Sequence, residues 1–167
     1  MKIKNDPWPA IRSKELSINQ TVFRIEEAGP NLDDNVLEGL YKEIAEFSKM
    51  LKRTLDLYST IDYVKQREEK IQFKAKLKYS YRLLDLLTKI VRLFEASKVI
   101  TAELQMYFGF IDDQITARTE SLESRYYEAA KTELESFHDQ SFRDKLSSHL
   151  AGSFNRVNPK FNSGDSK

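Results

Sequence analysis

Few side chains in this chain have the type and spacing for acid–base chemistry. His138 and His149 stand eleven residues apart near the C-terminal end. On one continuous helix they would share a face. A helix boundary is expected near Asp139 and would separate them, so no metal site is expected there. Arg143 lies six residues before His149, in Arg143-Asp144-Lys145-Leu146-Ser147-Ser148-His149. Imidazole titrates near neutral pH, and guanidinium meets phosphate with a planar, two-pronged fork. Six positions on an ideal helix place the two on different sides, which leaves a solvated Arg and a helix-surface His as the plainer reading. No Gly-rich phosphate loop, His-Glu metal motif or Ser-centred elbow is present. Cysteine is absent, which excludes disulfides, thiolate metal sites and a Cys nucleophile. No cofactor is expected.

The Arg143…His149 pattern resembles the motif of HEPN ribonucleases, in which an Arg precedes a His by four to six residues on a late helix of an α-bundle. The resemblance implies RNA cleavage at a site assembled in a dimer. His149 would act as general acid or base, and Arg143 would stabilise the phosphorane.

Charge supplies a second set of candidates. Between Lys65 and Arg92 nine basic residues face three acidic ones, and between Glu103 and Asp139 nine acidic residues face three basic ones. Two antiparallel helices with complementary flanks would account for both runs. The sharper reading is that Lys65, Arg67, Lys70, Lys74, Lys76 and Lys78 form a polar contact surface for a partner, with nucleic acid as a second candidate ligand. Aromatic residues are the third set. Trp8, the single tryptophan, stands between Pro7 and Pro9 and reads as a ring lying on the bundle or as an anchor for a partner. The cluster Tyr107-Phe108-Gly109-Phe110 is denser than one helix face can bury, so part of it should face another subunit.

The elements that must position these residues are helices. Prolines fall at 7, 9, 30 and 159, so a span of 128 residues contains none. Leu77–Leu104 carries apolar residues on two adjacent tracks, Leu77/Tyr81/Leu84/Leu87/Val91/Phe94 and Tyr79/Leu83/Leu86/Ile90/Leu93. Only a narrow stripe stays polar: Lys78, Arg82, Asp85, Lys89 and Arg92. A helix with so wide an apolar surface has to be covered on more than one side, and the chain is expected to reverse near Ser97 or Thr101. Before it, residues 34–58 repeat Leu37, Leu40, Tyr41, Ile44, Phe47, Leu51, Leu55 and Tyr58 at helical spacing. Residues 63–76 are poor in apolar side chains and are expected to project or to lie on the rim. After it come a helix through Leu104, Phe108, Ile111 and Ile115, a polar loop at 112–121, a helix through Tyr126, Ala130 and Leu134, and a short helix at 141–151. Asp-Pro-Trp-Pro at 6–9 suggests an extended start, and Val22, Phe23 and Ile25 suggest a brief strand or packed arm.

The expected fold is therefore all-α: a bundle of four or five helices over 31–154, an extended N-terminal arm over 1–30 and a disordered tail over 155–167. A length of 167 residues, 40% of them hydrophobic, suffices for one core. With no apolar run near 18 residues and no signal-like start, an intracellular location, cytoplasmic or nuclear, is expected. Net charge of +1 gives no global attraction to membrane or nucleic acid.

The layout from Val22 to Phe142 resembles the helical domain of GINS replication-complex subunits. Three stretches carry the likeness: Leu40-Tyr41-Lys42-Glu43-Ile44, Leu83-Leu84-Asp85-Leu86-Leu87 through Phe94, and Glu123-Ser124-Arg125-Tyr126-Tyr127-Glu128. That resemblance implies a non-catalytic scaffold joining a replicative helicase to its partners. GINS subunits usually add a small β-rich domain, for which the chain leaves no room after Phe154. Glu133-Leu134-Glu135-Ser136-Phe137 followed by Phe142-Arg143-Asp144-Lys145 is similar in cadence to sorting-nexin-type BAR domains. There Lys65–Lys78 would meet anionic membrane, although the chain is short for such a dimer and a membrane partner is not expected. The function expected overall is a non-enzymatic interaction subunit of a homo- or hetero-oligomeric assembly, with other protein subunits as partners.

Overall fold

A computed structural model of the chain describes residues 6–28, 34–97, 101–116, 120–135 and 140–150. Five helices are α1 (Trp8–Ala28), α2 (Asp34–Ser59), α3 (Arg67–Ser97), α4 (Ala102–Thr116) and α5 (Glu120–Glu135). A sixth, α6, covers 140–150. Among the described residues there is no strand, and no helix is long and apolar enough to cross a membrane. The all-α bundle is as expected. The expected tail over 155–167 lies outside the described residues.

Side-chain contacts fix how the helices run. Lys14 of α1 meets Glu46 at 2.5 Å and Glu43 at 3.1 Å on α2. Tyr58 of α2 packs on Phe73 of α3, ring centroids 6.0 Å apart, while Tyr41 donates to Glu95 Oε1 at 3.5 Å. Gln114 of α4 donates to the Tyr79 carbonyl, and Lys89 lies 6.0 Å from the Tyr107 ring. Arg12 of α1 donates to the Ile115 carbonyl at 2.8 Å, and Asn19 to Asp112 at 3.3 Å. Each pairing is antiparallel, so α1 to α4 form an up-down-up-down ring. The core cluster inside it draws on all four: Ile18, Phe47, Leu87 and Phe108 are fully buried or nearly so.

α3 is the common ruler. At about 46 Å it is roughly as long as α4 and α5 laid end to end. α4 lies along its C-terminal half, and α5 covers the N-terminal half, with Tyr79 against Tyr126 and Arg67 against Glu135. α6 then returns along α3. Phe142 sits beside Tyr58 and Lys74, His149 sits beside Tyr81, and Leu146 and Leu150 are buried in the main core.

Three expectations are corrected. Residues 8–28 are a helix, not an extended arm, and Val22, Phe23 and Ile25 lie inside it. Proline is tolerated in a first helical turn, where its missing N–H would have no partner. Here Pro9 occupies that turn, the Asp6 carboxylate caps Trp8 N–H at 3.0 Å, and the Pro7 carbonyl accepts from Ile11 N–H. The buried stripe Ile11, Glu15, Ile18, Val22, Ile25 repeats at four and three. Glu15 interrupts its apolar pattern at a core position. Residues 67–76 lie within the bundle rather than on its rim, because Ile71, Phe73 and Ala75 are buried and the ammonium groups of Lys70 and Lys74 go in with them. Residues 112–116 continue α4 instead of looping: Ile115 is fully buried, and Thr116 Oγ1 donates back to the Asp112 carbonyl. The reversal falls where expected. α3 ends at Ser97, and Thr101 Oγ1 accepts from Leu104 N–H at 3.1 Å as the N-cap of α4.

Candidate functional site

The charged residues singled out in the sequence do not share one surface. Lys65 and Arg67 are exposed, and Arg67 binds Glu135 at 2.6 Å and the Tyr63 hydroxyl at 3.2 Å. Lys70 is buried, donates to the Ile61 carbonyl at 2.9 Å and stands over the Tyr58 ring. Lys74 has no exposed surface. It lies 3.1 Å from Glu133 and 4.5 Å from the centre of the Phe142 ring. Lys78 binds the other oxygen of Glu133, and Lys76 lies half-buried over Trp8. A continuous polar contact surface over Lys65–Lys78 is therefore corrected. The strip turns inward at Lys70 and Lys74, and Arg67, Lys74 and Lys78 join α3 to the acidic α5 through complementary flanks.

The aromatic set divides as well. Trp8 meets Phe73 edge-on at 4.9 Å and lies half-buried on the bundle. Phe108 points into the core, Tyr107 is half-buried, and Phe110 stays 43% exposed with its ring 5.7 Å from that of Tyr107. Arg143 and His149 both lie on α6 but face different neighbours. Arg143 donates to Gln140 Oε1 at 3.0 Å, while the His149 ring packs 4.5 Å from Tyr81. Its Nε2 is buried without a hydrogen-bond partner among the described residues. Burial lowers the His149 pKa, Asp85 opposes that shift, and Lys145 adds to it. His138 lies outside the described residues, among which no group of His, Asp and Glu is arranged to hold a metal ion.

What the folded chain does build is a cleft of about 510 Å³ where α3, α5 and α6 meet. Four cations line it: Lys78 and Arg82 from α3, Arg125 from α5 and Lys145 from α6. Among the described residues its one carboxylate is Glu133, already held by Lys74 and Lys78. Tyr81, Tyr126 and Phe142 supply aromatic walls, with Leu146 buried behind them. Each ring has a fixed neighbour. Tyr81 leans on His149, Tyr126 meets Tyr79 edge-on at 6.2 Å, and Phe142 meets Tyr58 edge-on at 6.2 Å. Rings seated in this way give the cleft its shape before any ligand arrives.

Compared with known proteins, the chain matches no family model, no curated protein and no solved structure.

The cleft is not legible in the sequence, because its residues come from three helices and those of α3 lie more than 40 positions from those of α5 and α6. One local signal was present. Lys78 and Arg82, four apart, belong to the narrow polar stripe of the central helix. Arg125 beside Tyr126 and Lys145 beside Leu146 each combine a cation with an inward-facing neighbour, but nothing local to α5 or α6 indicates that the two meet.

Proposed function

We propose that this chain is a non-enzymatic interaction subunit of a larger protein assembly, docking through the outer side of the α1–α4 layer. The observation that carries the reading is a set of large apolar side chains left in water there. Leu16 is 43% exposed and Phe23 55%, and seven residues apart they share a stripe of α1. Met106 is 50% exposed and Phe110 43%, and four residues apart they share the side of α4 turned away from its buried stripe. Single exposed apolar residues are ordinary; paired stripes on two helices that pack together are the pattern of an interface. The specific assembly suggested by helix order is the GINS-like replication scaffold.

Native mass measurement on the chain, tagged at its own locus and purified at its natural level, tests this. The expected result is a defined complex heavier than the 19.5 kDa chain, lost in the double variant Phe23→Ser/Phe110→Ser with the melting temperature unchanged. A monomer at natural abundance would refute it.

A further inference from the structure

We infer that the cleft between α3, α5 and α6 is a binding site for a small organic phosphate carrying a planar ring, a mononucleotide being the representative ligand. This is independent of the proposed docking surface, which lies on other helices.

Charge argues first. Four basic residues line one concavity in a chain whose net charge is only +1. Glu133 cannot neutralise them all, since it is shared between Lys74 and Lys78, and Arg82 has Asp85 at 3.3 Å. Arg125 and Lys145 make no ion pair among the described residues, and they stand on different walls of the cleft. An anion between them would relieve their repulsion. Arg, with its planar fork, favours phosphate or carboxylate oxygens.

Shape and lining then narrow the class. A volume of about 510 Å³ lies within the roughly 300–1,000 Å³ of sites that take small organic ligands. The walls are rings, which suit a flat partner stacked or met edge-on. An extended polyanion fits less well. The basic residues border a concavity, whereas the flank of α5 beyond it carries exposed Glu128, which would repel a long phosphate backbone.

Isothermal titration of the full chain with AMP, GMP, CMP and UMP tests the inference, with inorganic phosphate, adenosine and dodecyl phosphate as controls. At least one mononucleotide should bind, at least tenfold more tightly than either phosphate or adenosine alone. Arg125→Ala/Lys145→Ala should weaken that binding at least tenfold with a melting temperature close to that of the parent chain, and Tyr126→Ala should weaken it at least threefold. Arg125→Lys should restore part of the loss. Absence of binding by all four nucleotides, equal affinity for inorganic phosphate, preference for dodecyl phosphate, or indifference to the double variant would each overturn it.

Discussion

His149 shows how position sets chemistry at the scale of one residue. Its ring is wedged against Tyr81 at 4.5 Å on an otherwise apolar side of α6. Burial disfavours the imidazolium, and Asp85 only partly offsets this while Lys145 adds to it. The same burial raises the pKa of the Tyr81 phenol, reinforced by Asp85. The consequence for stability has a definite sign. The unfolded chain takes a proton at this ring as pH falls through about 6.5, whereas the folded chain does so only at lower pH. Across that interval the unfolded state binds more protons, so stability falls as pH drops below about 6.5. Thermal melts between pH 7.5 and pH 5.5 should show the melting temperature decreasing, and His149→Phe, which keeps the ring against Tyr81, should flatten that slope. An identical slope in the variant would mean that another group titrates. A six-residue spacing already put Arg143 and His149 on different sides, and the contacts of each agree with that. The neighbours of His149 were not legible, because Tyr81 is 68 positions away.

At the scale of the element, α3 and α5 are joined by charge as much as by apolar contact. Arg67–Glu135 is an exposed pair and contributes little. The Lys74–Glu133–Lys78 arrangement is different, since Lys74 is fully buried. Removing the carboxylate takes an ion-pair partner from a fully buried ammonium group, whereas replacing that ammonium with an apolar side chain removes the desolvation cost too. Glu133→Ala should therefore cost about 3 kcal/mol and Lys74→Met less than about 1 kcal/mol in urea unfolding. Equal losses would show that the attraction itself, not the cost of desolvating the ammonium group, holds α5. Opposite charge runs on 65–92 and 103–139 made this pairing legible in advance. The stripes of α2, of α3 from Leu77 onward and of α4 as far as Ile111 were equally legible, because their buried positions are mostly apolar, whereas buried Lys70 and Lys74 hid the start of α3. α1 was not. Two prolines at its start and Glu15 in the middle of its buried stripe both argue locally against a packed helix, and only the ring of neighbours formed by α2 and α4 overrides them. Residues 112–116 misled in the same way: Asp112, Asp113 and Gln114 read as a loop, yet one buried Ile115 and the contact of Asn19 with Asp112 keep them helical.

For the whole molecule, the central point is which surfaces are closed and which are open. α3 is enclosed by α2, α4 and α5, with α6 alongside, so its apolar tracks are covered and only its polar stripe and its wall of the cleft stay open. Apart from Val64 in the turn before α3, the large apolar side chains left exposed among the described residues belong instead to α1 and α4. That surface should be covered in the native assembly. Hydroxyl-radical footprinting tests this most directly, because Met and Phe side chains report their own exposure. Oxidation of Phe23, Met106 and Phe110 should drop severalfold in the native assembly relative to the isolated chain, while oxidation of Tyr63, at the far end of the bundle, stays constant. Equal labelling of all four residues in both samples would contradict the account.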